Sequence, residues 1–181
     1  PAQFSWGVSL KRVEQMLEEI DVLGWRDAYL SMIADLPQND ARLLWLRAMG
    51  LRRIAMQMVL SIQKDMRVLD FGCGFGTIAT NLAPWCRELI AMDQIPMHLK
   101  WVGSLAQSMG INNIRLVEAG DTKYLPFAEN SLDVVILNGV LEHVATNTTG
   151  DPQQVQQRIL NDIRRVLKPN GQVYIGIENR I

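Results

Sequence analysis

The sequence predicts an α/β protein: a doubly wound, mostly parallel sheet with helices on both faces, preceded by a segment made of helices alone. Three observations carry this. Val68 to Thr77 reads VLDFGCGFGT, an apolar run that passes at once into alternating glycines, the pattern of a buried strand turning sharply into a helix. Beyond it, short apolar runs alternate with helical patterns, as in successive βαβ units. Those runs close on polar residues, Asp70, Asp93 and Asn138, and the carboxyl ends of parallel strands are where open α/β sheets bind their ligands.

With 181 residues, 48% of them hydrophobic, the chain can bury one sizeable core and a small helical appendage. A boundary is expected near residue 63, with 1–63 as a cap or set of packing helices and 64–181 as the core domain. A net charge of −1 creates no diffuse basic field, which disfavours nucleic acid or an anionic membrane as partner. Cys73 and Cys86 have no CxxC spacing, and the two histidines, His98 and His143, are far apart in sequence, so neither a structural zinc site nor a disulfide framework is expected. No apolar run has the length of a membrane span, and the N-terminus lacks the layout of a signal peptide. A reduced, cytoplasmic setting is the expectation.

From Ser9 to about Leu60 the pattern is helical, with Leu10, Val13, Leu17 and Ile20 spaced three or four apart. Gly24 punctuates it. A second helix is predicted from Trp25 to Leu36, stopped by Pro37, and a third from Ala41, capped by Asn39 or Asp40 and broken near Gly50. Trp25, Trp45, Met49 and Met56 suit either a core or a lid over an apolar substrate. Arg42, Arg47, Arg52 and Arg53 share no helical face and read as solvated surface.

After the glycine turn, a short helix from Thr77 ends at Pro84, and Glu88 to Met92 supplies a second strand closing on Asp93. Pro96 opens the next helix and Gly110 ends it. On that helix Met97, Trp101, Leu105 and Met109 recur every fourth residue, so all four are expected against the sheet. His98 falls off that stripe and is expected to be ordinary. A third strand, Ile114 to Val117, leads into Gly120, Asp121 and Thr122. The fourth, Leu132 to Leu137, ends at Asn138 and Gly139 and is expected to turn helical through Leu141, Glu142 and His143. Asp151 and Pro152 open a helix with Val155, Ile159, Ile163 and Val166 on one side, and a turn at Pro169, Asn170 and Gly171 delivers a fifth strand.

The glycine spacing selects among ligands. Gly72, Gly74 and Gly76 permit positive φ and close approach of a ligand to the backbone. The dinucleotide pattern G-x-G-x-x-G/A is not met, because the third glycine comes one residue early and Thr77 stands in the last place. No Gly-Lys-Ser/Thr follows, which excludes a P-loop. Asp70 would repel a pyrophosphate on the turn and attract an ammonium group. Asp93, about twenty residues on, suits both hydroxyls of a ribose, and Met97 in the first turn of the next helix suits the adenine.

The pattern D-x-G-x-G at Asp70 to Gly74, the acidic residue Asp93, the loop Leu125 to Phe127 before a strand beginning at an aspartate, and the final helix, turn and strand from Arg164 to Ile175 resemble, in this order, the class I S-adenosylmethionine-dependent methyltransferases. The resemblance covers about Val68 to Ile177. It implies a Rossmann-like fold and S-adenosylmethionine as cofactor, with Asp121 on the adenine amine and the Thr122 amide on a ring nitrogen. The cofactor-binding set is then Asp70, Gly72, Cys73, Gly74, Gly76, Asp93, Gln94, Met97, Asp121, Thr122 and Asn138. The family's usual seven-stranded sheet has two strands after the fifth that find no counterpart before Ile181. An open fifth-strand edge can pair with a neighbour, and a homo-oligomer through that edge is one expectation.

Methyl transfer from a sulfonium is an in-line displacement, so alignment of the acceptor supplies much of the acceleration. Where the acceptor is a hydroxyl, Glu142 or His143 is the nearest candidate base in sequence. The N-P-P-Y sequence of amino-group enzymes acting on adenine or glutamine is absent after Asn138, and a small-molecule acceptor is expected. Two other readings use the same residues: a catalytically silent cofactor-binding or assembly subunit, and an NAD-dependent oxidoreductase, which Asp70 and the early third glycine disfavour.

Overall fold

A computed structural model of the chain describes residues 8–34, 36–42, 51–120, 124–144 and 151–177. The predicted sheet is present with five strands, β1 (Arg67–Phe71), β2 (Glu88–Asp93), β3 (Ile114–Glu118), β4 (Leu132–Asn138) and β5 (Leu167–Gly176). Their order is β3-β2-β1-β4-β5, and every pair is parallel. β1 to β3 run outward to one side and β4 and β5 to the other, so the winding reverses between β1 and β4. That reversal is where a crevice opens in sheets of this kind.

Strand residues alternate between two apolar layers. Val68, Leu89, Ala91, Val134 and Ile136 face one layer, and Leu69, Phe71, Ile90, Met92, Val135 and Leu137 face the other. The second layer is covered by α5 (Pro152–Val166), capped by the Asp151 side chain on the Gln153 amide and burying Val155, Ile159, Ile163 and Val166 as its spacing predicts. α3 (Thr77–Leu82) and α4 (Pro96–Ser108) cover the first layer.

The leading helices join that same layer. α1 (Leu10–Leu23) starts where the Ser9 hydroxyl accepts the Arg12 amide and ends at Gly24 with φ of 76°. It buries Val13 and Met16, with Leu10, Leu17 and Ile20 packed at its margin. α2 (Trp25–Ala34) follows at once. Trp25 stacks on Tyr29 at 5.2 Å, and both meet Trp101 of α4 edge-on, at 5.3 and 5.5 Å. Trp101 in turn meets Phe75 of the glycine turn at 4.9 Å. Trp25 and Met56 are therefore core residues, the packing role of the two that their composition allowed. Trp45, Arg47 and Met49 lie outside the described residues, and Arg42 is exposed. Among the described residues no helix is long and apolar enough to cross a membrane.

Four expectations are corrected. The third helical segment begins directly after Pro37, whose carbonyl accepts the Asp40 and Ala41 amides, so neither Asn39 nor Asp40 caps it. Met109 is 54% exposed, because α4 ends at Ser108 and Gly110, with φ of 68°, turns the chain away. Residues 141–144 form a turn, closed by the His143 amide on the Val140 carbonyl at 2.8 Å, in place of the start of a helix. Pro169 to Gly171 do not precede the fifth strand but bulge within it: pairing with β4 skips from Leu167 to Gln172, around Asn170 with φ of 67°.

At the amino ends of the strands, the Asp133 carboxylate accepts the Arg67 amide at 2.8 Å and the Lys168 ammonium at 2.7 Å, tying β1, β4 and β5 together. The aspartate that opens β4 is thus structural. Along β5, Val173 and Ile175 remain partly exposed at the sheet edge. The aromatic cluster yields the first prediction. Trp101→Ala should cost about 3–5 kcal/mol, read from urea denaturation, and a loss below about 1 kcal/mol would show that α1 and α2 are not anchored there.

Candidate functional site

The site is built at the carboxyl ends of β1, β2 and β4. The chain leaves β1 at Phe71 and passes through Gly72, Gly74 and Gly76 with φ of 72°, 50° and 73°, left-handed geometry that L side chains rarely adopt. The turn is stitched to β2. The Gly72 and Cys73 amides both donate to the Met92 carbonyl, at 2.8 and 3.0 Å, and the Gly74 amide donates to Asp93 Oδ2 at 2.9 Å.

The three glycines serve different ends. A Cβ on Gly72 would stand 2.7 Å from Val140, in the turn after β4, and one on Gly76 would stand 2.6 Å from Val102 of α4. Those positions admit neighbouring side chains, where the spacing alone had suggested a ligand at all three. At Gly74 a Cβ would meet no atom within 4 Å. Among the described residues, the space on that side of Gly74 is open.

Around this opening the candidate residues distribute unevenly. Asp70 is 1% exposed and Asp93 6%. Both carboxylates act on Cys73, whose buried thiol is pushed well above its ordinary pKa first by burial and then by the charges of Asp70 and Asp93. The two acids therefore flank the turn from the ends of adjacent strands. Burial would raise the Asp93 pKa, but His98 and the amides of Ile95 and Gly74 outweigh it and hold the carboxyl below the usual range. Gln94 is exposed and lies against Gly120, where a Cβ would come within 2.5 Å of the Gln94 Cβ. Met97 is buried in the layer under α4. Asp121 and Thr122 lie outside the described residues.

On the other side of the reversal, Asn138 turns toward Gly176 of β5, and the Gly139 amide donates to the Gly176 carbonyl at 2.7 Å. Glu142 is half-buried and His143 exposed on the turn that follows. The loop before β4 is clamped to α5: Asp162 accepts the Leu125 amide and the Arg165 guanidinium, which also donates to the Phe127 carbonyl at 2.9 Å and the Leu125 carbonyl at 3.1 Å.

His98 is the residue that sequence reading missed. It is 5% exposed, its Nδ1 lies 3.1 Å from Asp93 Oδ2, and its ring sits 5.7 Å from that of Phe75. The available signal was a histidine placed two residues after a helix-opening proline and five after a strand-end acid.

A parallel sheet of order β3-β2-β1-β4-β5 that reverses beside a glycine turn is the Rossmann-like architecture of the methyltransferases. The methyltransferase domain family matches residues 69–175, and the chain belongs to that family, whose cofactor is S-adenosylmethionine. The chain is 28% identical over 107 residues to the uncharacterized methyltransferase YcgJ of Bacillus subtilis, covering 59% of this chain and 38% of that protein. It is 34% identical over 118 residues to the ubiquinone biosynthesis O-methyltransferase of Rickettsia conorii, covering 64% and 36%. The chain thus spans well under half the length of these relatives. The crystal structure of YcgJ superposes with a TM-score of 0.55 at 26% identity, over 65% of this chain and 46% of that one. Phosphoethanolamine N-methyltransferase 1 of Haemonchus contortus shares the fold, with a TM-score of 0.60 at 17% identity over 95% and 34%.

The Asp93 contacts predict a pH-dependent stability. Because its folded pKa is depressed, the carboxylate contributes fully above its unfolded value of about 3.9, and that contribution is lost as pH falls through the folded value. Asp93→Asn should therefore cost about 1.5–3 kcal/mol at pH 7. The gap to wild type should close below about pH 4 in urea titrations. A gap independent of pH would remove the charge from the explanation.

Proposed function

We propose that this chain is the cofactor-binding core of an S-adenosylmethionine-dependent methyltransferase acting on a small-molecule acceptor. The observation that carries the reading is the open space at Gly74, bounded by buried acids and set at the reversal of the sheet. When bound, S-adenosylmethionine supplies an electrophilic methyl on a sulfonium. Asp70 and Gly72 would hold its ammonium end, Asp93 the ribose, Asp121 with Thr122 the adenine, and Gln94, Met97 and Asn138 the surrounding wall. The small-molecule part of the proposal draws on the near-neutral charge of the chain and on relatives named for ubiquinone and sterol methylation.

His143, exposed on the turn after β4, is proposed as the base for a hydroxyl acceptor, with Glu142 beside it. Alignment of the acceptor at the same rim supplies the rest of the acceleration. His143→Ala should then lower the rate on a hydroxyl acceptor by about 10²–10⁴-fold with cofactor affinity unchanged. A loss of less than tenfold would leave alignment alone.

The cofactor reading is tested by thermal shift. S-adenosylhomocysteine at a hundred times its Kd should add about 2.7 kcal/mol to stability, and NAD should add none. Gly74→Val, at a backbone cost of about 1–2 kcal/mol, should abolish the shift in a protein that still folds. Retained binding in that variant would overturn the placement.

A further inference from the structure

The Gly139 amide on the Gly176 carbonyl fixes where the turn after β4 begins. Apolar packing then sets how deep the turn lies. Leu141 is 8% exposed and shares the second apolar layer with Val155 and Ile159 of α5, with Val140 and Val144 packed at its margin. Such contacts are non-directional, and alone they leave a short turn free to pivot about Leu141.

Hydrogen bonds restrict direction, because they weaken steeply once donor and carbonyl are misaligned. The His143 amide on the Val140 carbonyl closes the turn on itself. Another bond ties it to the body of the protein: Gln156 Nε2 of α5 donates to the Leu141 carbonyl at 3.0 Å. That carbonyl belongs to the planar peptide that joins Leu141 to Glu142, so fixing its direction fixes the plane from which Glu142 and then His143 depart. Gln156 is half-buried and stands between Val155 and Ile159, both buried, on a helix that Asp151 caps at one end. Asp162 and Arg165 clamp the other end to the loop before β4. The donor therefore extends from a base that is itself held.

We propose that Gln156 is a positioning residue for methyl transfer, whose bond to the Leu141 carbonyl holds the turn after β4 so that His143 is presented toward the bound cofactor. This rests on the reading that His143 serves the acceptor beside S-adenosylmethionine. Gln156 acts through Leu141 and not on the reacting atoms.

The test is nuclear magnetic resonance of the full chain with S-adenosylhomocysteine as probe, supported by titration calorimetry. The sequence holds two histidines, so His143→Gln identifies the His143 ring signal by removing it. In the wild type that signal should shift when S-adenosylhomocysteine saturates the protein. Gln156→Met keeps the unbranched side chain and removes the donor. In this variant the ligand-induced shift of His143 should shrink, and the His143 backbone amide should exchange about two- to tenfold faster, the worth of one hydrogen bond. The Gly72 and Gly74 amides, stitched to β2, should keep their exchange rates, and the Kd for S-adenosylhomocysteine should stay within about threefold of wild type.

An unchanged His143 shift or an unchanged His143 exchange rate in folded Gln156→Met overturns the inference while the functional reading stands. Equal acceleration at Gly72 and Gly74 also overturns it, since the loss would then be a general loosening. In the wild type itself, one proton of the Gln156 side-chain amide should exchange more slowly than those of Gln153, whose side chain is exposed. Equal rates there overturn the inference even if the variant does not fold. A wild type that binds S-adenosylhomocysteine without moving the His143 signal overturns it too, and leaves the cofactor reading in place. Failure of the wild type to bind S-adenosylhomocysteine overturns the functional reading and this inference with it.

Discussion

The seam between the glycine turn and the end of β2 is the constraint on which the rest of the site depends. Three consecutive amides, those of Gly72, Cys73 and Gly74, are spent on Met92 and Asp93. A buried amide left without an acceptor costs about as much as a lost hydrogen bond, so the turn has little freedom to take another path. That path demands positive φ at every second residue, which accounts for the glycine spacing without reference to any ligand. What the seam leaves open is the outer side of Gly74.

From the seam, order spreads through packing in two directions. Val102 and Val140 occupy the volumes that Cβ atoms on Gly76 and Gly72 would take, locking α4 and the turn after β4 to the same loop. Phe75 carries the contact outward to Trp101, and Trp101 to Trp25 and Tyr29 of the leading helices. Phe75 also packs beside His98, which faces Asp93. The leading helices therefore reach the neighbourhood of Asp93 through a short run of rings. A cavity opened at Trp101 would be felt at Asp93 because interiors are close-packed and transmit strain.

The fold was legible because its punctuation is local. Proline at the start of α4 and α5, glycine after α1 and α4, and apolar runs closing on polar residues are each read from a few neighbouring residues, and all five strands fall within a residue or two of expectation apart from the start of β5. What escaped depends on tertiary contact. The bulge at Pro169 to Gly171 arises because α5 runs straight into pairing at Leu167 before Asn170 takes a left-handed conformation, and no run of apolar residues announces that. Met109 shows the same limit, since its periodicity is perfect but the helix has already ended. His98 was set aside for lying off the apolar stripe, yet that is the direction in which the Asp93 carboxylate sits. A stripe rule ranks positions by contact with apolar neighbours, and a buried histidine beside a carboxylate is invisible to it.

The two sides of the sheet's reversal differ in kind, and this explains why the residues of one could be read from the sequence and those of the other could not. The side at β1 and β2 is made of backbone amides, glycines and strand-end acids, all held by contacts within β1, β2 and α4, so it is written in residue type and spacing. The other half begins at β4 and leans on β5: Asn138 packs against Gly176, and the Gly139 amide is held by the Gly176 carbonyl. From there Val140 reaches back over Gly72, while Glu142 is half-buried and His143 exposed on a short turn. The position of that turn is set by where β5 ends its pairing, not by any motif around His143. A change in the last residues of β5 would therefore act on the turn after β4, through Asn138 and Gly139, and leave the seam at Gly74 intact.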